Sequence, residues 1–163
     1  MKRILKWLKR YNACEEGIEY SEQFTDPQEW WDSFERGDWM LWVIWRCVNR
    51  KDETHLRKLT GVKVKCARLV QHLMKDQRSL DALDMGERYS KGECTLKELN
   101  AAADAAAYAA ADAADAAAYA AADAADAAAD AAAAAWGKIL GKSADIVCEH
   151  YTIDEIMDFI LSK

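Results

Sequence analysis

Proline occurs once in this chain, as Pro27, glycine only seven times in 163 residues, and no run of β-branched residues alternates with polar ones. With so few breaks and no period of two, the sequence predicts an all-α fold. Recognisable catalytic motifs are missing too: there is no phosphate loop, no HExxH, no GxSxG and no CxxC. The five cysteines (Cys14, Cys47, Cys66, Cys94, Cys148) are odd in number, and no pair has metal-ligand spacing. They read as reduced thiols rather than a disulfide framework or a zinc site. The three histidines, His55, His72 and His150, are isolated. His55 follows Asp52 by three residues, a solvent-facing pair by default. Cys66 and His72, six apart, fall on different helix faces. The chain is therefore not expected to be an enzyme, and no metal or cofactor is expected.

The gap in basic residues is the widest absence of all. None occurs between Lys97 and Lys138, and residues 101–135 contain only alanine, aspartate and tyrosine, with a period of eleven. The register Asp-Ala-Ala-Ala-Tyr-Ala-Ala-Ala-Asp-Ala-Ala starts at Asp104, repeats from Asp115 and fades after Asp126. At about 100° per residue, Asp104, Tyr108, Asp112, Asp115, Tyr119, Asp123, Asp126 and Asp130 all fall within a stripe of about 100°. Eleven residues make three turns with little drift, so the stripe runs nearly straight along the axis. Alanine has the highest helix propensity, and its small side chain lets a partner helix approach closely. The tract would be roughly 50 Å long at about 1.5 Å per residue. It does not read as membrane-spanning, because each aspartate at mid-span costs roughly 2.5–3.5 kcal/mol.

Charge is divided unevenly along the chain. Residues 1–100 hold 19 Lys+Arg against 17 Asp+Glu, whereas residues 101–163 hold 3 against 11. The net charge of −6 argues against direct nucleic-acid binding but suits a basic protein partner steered by long-range attraction. Met1–Tyr11 is basic, and lysines interrupt its apolar residues. It lacks the apolar core of a signal peptide, which points to a cytoplasmic protein. Packing of this helix against the body is favoured over a membrane-surface anchor.

The length suits one domain of four parts: a basic helix over 1–12, tryptophan-rich helices over 25–92, the Ala/Asp/Tyr helix over 96–136 and C-terminal helices over 139–163. Thr25-Asp26-Pro27 starts a helix that carries Trp30, Trp31 and Phe34 and should stop at Gly37. Asp38 then caps a second helix, Trp39 to about Arg50, apolar nearly all round and expected to be the most buried element. Asp52 opens a third, reaching about Met74, and residues 78–90 form a shorter one ended near Gly92. Thr95-Leu-Lys-Glu98 is a capping box, so the alanine helix should run from Leu96 to about Trp136, where Gly137 breaks or bends it. A helical pattern resumes through Ile146 and Val147 to His150, and Thr152-Ile-Asp-Glu155 is a second capping box.

Several segments together resemble a known family. Phe34-Glu-Arg-Gly-Asp-Trp-Met-Leu-Trp42 resembles a recurring GDWMLW signature, and Cys66-Ala-Arg68, Glu87–Leu96 and Ala144-Asp-Ile-Val147 fit the same pattern around an Ala/Asp/Tyr tract of variable length. Over roughly residues 12–150 the chain resembles immunity proteins of the Imm5-like type, found in bacterial and phage genomes. The resemblance implies an all-α, non-enzymatic binding protein of a type named for neutralising toxins, and carries over no catalytic residues.

Two candidate sites follow. The first is the Asp/Tyr stripe. Read simply, it is a solvated face that keeps an alanine helix soluble; read functionally, it is a landing strip for Lys/Arg of a protein effector, with Tyr108 and Tyr119 as anchors. Its like-charged neighbours three and four apart are costly unless cations answer them. The second is a pocket in which Trp39 and Trp42 stack a nucleotide base while Arg57, Arg68 and Arg88 hold its phosphate, sequestering a defence signal. Here the alternative is a tryptophan core and arginines paired with local acids. Architecturally, some 260° of alanine surface is too wide for one neighbour. The tract should therefore be the centre of a helical bundle with the Trp39–Arg50 helix against it, any surplus length being covered by a second copy in a homodimer.

Overall fold

A computed structural model describes the backbone of residues 1–120 and 125–162, and the side chains of 1–108 and 136–162. Among the described residues the fold is all-α, with no strand. The helices are α1 (Lys2–Arg10), α2 (Glu15–Glu22), α3 (Pro27–Asp32), α4 (Gly37–Cys47), α5 (Glu53–Arg68), α6 (Gln77–Lys91), α7 (Leu96–Ala120), α8 (Ala125–His150) and α9 (Ile153–Leu161), with a 3-10 turn at Gln71–Leu73. Contacts gather into two compact units: Met1–Asn49 with Leu140–Lys163, and Arg50–Ile139. No described helix is long and apolar enough to cross a membrane.

In the first unit the apolar residues of α1 (Ile4, Trp7 and Leu8) are buried, and the helix packs on α2 and α9. That leaves its lysines and arginines on the outside, as the packed reading of the basic segment requires. Trp30 and Trp31 of α3 are essentially inaccessible, and both indole N–H groups are paired. Trp31 donates to the Tyr151 carbonyl at 3.0 Å. Trp30 donates to the Ser21 hydroxyl at 2.9 Å, and that hydroxyl donates to the Gly17 carbonyl at 2.7 Å. Buried donors met in this way avoid a desolvation cost of about 1–3 kcal/mol each.

Helix α4 departs from expectation in two ways. Asp26 caps α3 and Pro27 starts it, but α3 ends at Asp32, and Gly37 opens α4 instead of closing the helix before it. The reason is packing. A Cβ on Gly37 would lie 2.5 Å from the Ser143 Cβ, so only glycine lets this turn reach the α8 backbone. Nor is α4 buried all round. Its core stripe is Met40, Val43, Ile44 and Cys47, spaced three and four apart, whereas Trp39, Trp42 and Trp45 are half-buried. The chain also forms α2, which has little apolar signal and is not among the helices expected from the sequence.

In the second unit α5 packs on α6, and α6 on α7. Gly86 allows the first approach, since a Cβ there would lie 2.6 Å from the Val64 Cγ2. Asp52 and Asp76 accept hydrogen bonds at the starts of α5 and α6. Gly92 ends α6 at φ 81°, the left-handed geometry that glycine adopts without strain. Thr95 and Glu98 cap α7 reciprocally. Along the first turns of α7, Leu99, Ala102, Ala105 and Ala106 are partly covered, whereas Ala101, Ala103 and Ala107 are exposed together with Asp104 and Tyr108, so over these turns the covered face is narrower than the alanine surface expected from the sequence. Residues 121–124 lie outside the described residues, as does the continuity of Leu96–Trp136 across them. Gly137 does not break the chain's helix: α8 passes it and Gly141 through to His150. Alanine-rich flanks carry the roughly 1 kcal/mol that a glycine costs within a helix.

Candidate functional site

Small residues open a cleft in the first unit. Cys14, Gly17 and Ser21, three and four apart, lie along the start and one face of α2, opposite the aromatic side chains of α3 and α4. Between them is a cavity of about 370 Å³, walled by Trp30, Phe34, Trp39 and Trp42, with Asp38 and Cys14 among its lining residues. Its size lies within the range of about 300–1,000 Å³ common for small-molecule sites, and its walls are chiefly apolar, as in such sites. Gly17 keeps it open, because a Cβ there would stand 3.2 Å from the Cys14 Sγ and 4.0 Å from the Trp39 ring.

Trp39 is the central wall. Its ring meets Tyr20 and Phe34 edge-on, at centroid distances of 5.9 and 6.5 Å. It also borders a second concavity, shared with Tyr20, Phe24 and Arg36. The Arg36 guanidinium stacks over Trp39 at 4.3 Å and grips Asp38 through two hydrogen bonds of 2.9 and 2.8 Å. That grip holds the Asp38 carboxyl below its ordinary range, against the opposing effect of burial. Tyr20 donates its hydroxyl to the Ser33 carbonyl at 2.6 Å, and burial, followed by the nearby Glu35 charge, pushes its phenol upward. Trp42, one turn further along α4, also lines the cavity, meeting Trp7 edge-on at 6.1 Å, with the Arg46 guanidinium 5.3 Å from its ring. Such a site can stack a planar group, bury apolar surface and offer one ionised carboxylate as an acceptor.

The arginines expected to hold a phosphate are engaged elsewhere in the second unit. Arg57 pairs with Glu53 at 2.7 Å, donates to the Tyr89 carbonyl and lies over the Tyr89 ring. Arg68 bridges Asp84 and Glu87, and also donates to Gln71. Arg88 is exposed on α6, and its charge helps hold the Glu98 carboxyl low, after the hydrogen bonds from Thr95. Arg57 and Arg68 thus follow the structural reading, pairing with local acids. Among the described residues no group of three or more His, Cys, Asp or Glu is placed to hold a metal.

Of the acidic stripe, Asp104 and Tyr108 are exposed, Tyr108 to 72%. The side chains of Asp112, Asp115, Tyr119, Asp123, Asp126 and Asp130 lie outside the described residues. Sequence reasoning found Trp39 and Trp42 but missed the residues that make space for them. The signal was present in Cys14, Gly17 and Ser21, a small-residue stripe at helical spacing beside aromatic neighbours. No family model, curated protein or solved structure matches the chain.

Proposed function

We propose that this protein is a non-enzymatic binding protein whose α2–α3–α4 cleft sequesters a planar heteroaromatic molecule of nucleobase type. One observation carries this reading: Trp39 and Trp42, neighbours on one face of α4, stand half-buried along the wall of an open, mainly apolar cavity of about 370 Å³. Half-buried tryptophans keep stacking surface available that a packed core would consume. The Asp38 carboxylate suits an amino or ring N–H donor on the ligand. With Arg57 and Arg68 occupied by carboxylates, recognition falls on the base rather than on its phosphate. Isothermal titration with nucleobases, nucleosides and cyclic nucleotides tests this, with thermal shift as the companion, because a ligand of the native state raises the melting temperature. Saturable binding lost in Trp39→Ala is the expected outcome. No heat and no shift for any ligand at millimolar concentration would overturn it.

A second reading rests on a different observation, the exposure of Asp104 and Tyr108 at the start of the acidic stripe. In this reading the protein acts as an immunity or phage counter-defence inhibitor and neutralises a basic effector protein (a toxin or a host defence protein) along that face. Pull-downs with Asp112, Asp115, Asp123 and Asp126 changed to Asn decide it. Recovery of the same partners at the same salt tolerance would remove the stripe as an interface.

A further inference from the structure

Helix α1 concentrates positive charge in an acidic protein: five of its nine residues are Lys or Arg. Lys9 is committed to Glu22 at 2.8 Å. Arg3, Lys6 and Arg10, spaced three and four apart, instead line a cleft of about 270 Å³ with Trp7, Ile160 and Leu161. Among the described residues no carboxylate lines this cleft, and Arg3 and Lys6 make no ion pair or hydrogen bond. Trp7 is only 4% exposed, yet its indole N–H has no acceptor among the described residues. That nitrogen is itself inaccessible and so lies out of reach of a ligand in the cleft. Across the cleft, Leu161 is about half-exposed, which gives an apolar edge facing the cations.

We infer that the α1–α9 cleft binds a phosphate group that carries an apolar substituent, with Arg3, Lys6 and Arg10 taking the phosphate, and Ile160 and Leu161 covering the apolar part. Two or three cations on one helix face match the double charge of a phosphate monoester, and charge-assisted hydrogen bonds are the strongest available at such a site. The substituent belongs either to a lipid or to a free phosphate ester. A lipid would be met only at its headgroup. The apolar residues of α1 are already spent on the core, so the helix cannot sink into a bilayer as an amphipathic anchor does.

Two arms on the full chain test this and separate the sources. Titration calorimetry uses phenyl phosphate, with inorganic phosphate as the minimal probe. Flotation uses phosphatidylcholine vesicles with and without phosphatidic acid. Binding in either arm is expected, weakened roughly tenfold or more in Arg3→Gln/Lys6→Gln. Both side chains are exposed, so circular dichroism of that variant should match the wild type. Response to vesicles alone assigns the site to lipid headgroups; response to phenyl phosphate alone assigns it to soluble esters. Silence in both arms, affinity unchanged in the double variant, or capture only of a duplex oligonucleotide would overturn the inference.

Discussion

Gly37 and Ser143 approach so closely that a methyl group on Gly37 would stand 2.5 Å from the Ser143 Cβ and 2.7 Å from the Ala144 nitrogen. The obstacle is largely backbone, which cannot swing aside as a long side chain would. Gly37→Ala should therefore destabilise the protein by about 1–3 kcal/mol through overpacking, toward the upper end of that range. Gly137→Ala is the control: nothing lies within 4 Å of a Cβ there, so helix propensity should win and stability should rise by up to about 1 kcal/mol. Urea midpoints of the two variants, moving in opposite directions, check the pair.

Ser21 is one of the few buried polar side chains, and its hydroxyl is the acceptor for the Trp30 N–H. Ser21→Ala should cost about 1–3 kcal/mol by stranding that donor. Trp30→Phe removes the donor together with part of the ring, so the Ser21→Ala penalty should shrink in its background. Chemical denaturation of the four-member cycle measures the coupling. Strictly additive losses would mean that the hydrogen bond contributes nothing to stability.

Asp38 predicts an acid limb. Arg36, by its hydrogen bonds first and its charge second, holds the folded carboxyl below the ordinary value of 3.8. A depressed carboxyl contributes stability that is complete above the unfolded value and lost as pH falls through the lower folded one. Arg36→Gln should thus move the Asp38 titration upward in an NMR pH series and flatten stability between about pH 4 and the acid transition. Near pH 7 the Asp38 contribution should be complete, since that lies well above the ordinary carboxyl value.

Cysteine reactivity should follow the cleft. Cys14 is exposed at its edge, Cys47 and Cys94 are buried, and burial, reinforced by Asp32 and Asp145, pushes the Cys148 thiol upward. Iodoacetamide near neutral pH should alkylate Cys14 first, about tenfold or more ahead of Cys47 and Cys148. A ligand filling the cleft should slow Cys14 selectively, which peptide mass spectrometry reads residue by residue. Equal rates at all sites would contradict the burial pattern.

Helix starts were legible where capping is local chemistry, but not at α4, which begins at Gly37 with Asp38 inside its first turn and not as its cap. Asp26 with Pro27, Asp52, Thr95 with Glu98 and Thr152 with Glu155 each open the helix their sequence announces, and Gly92 closes α6. Gly37 misled because its role is tertiary. It reads as a stop signal on its own, but it serves as the contact point for a segment more than a hundred residues away. The tryptophans divided for the same kind of reason. Pattern alone put Trp39 and Trp42 at the centre of the core, whereas Trp30 and Trp31 hold that place by contacts with Ser21 and Tyr151. The cleft was hidden because a cavity is written in small residues, and Cys14, Gly17 and Ser21 carry no chemical signature singly.

Trp31 and the Tyr151 carbonyl that it meets are 120 residues apart, and the first unit joins residues 1–49 to residues beyond 140. On the ribosome, these two stretches emerge at different times. The contiguous second unit can assemble as soon as α5, α6 and α7 have appeared, each next to its neighbour in sequence. Trp31 must wait for the carbonyl that receives its indole N–H until the whole alanine tract has been translated. At about 5–20 residues per second, that delay amounts to several seconds or more. The length of chain between the two stretches therefore acts as a clock, setting how long the first stretch waits for the residues that complete its unit.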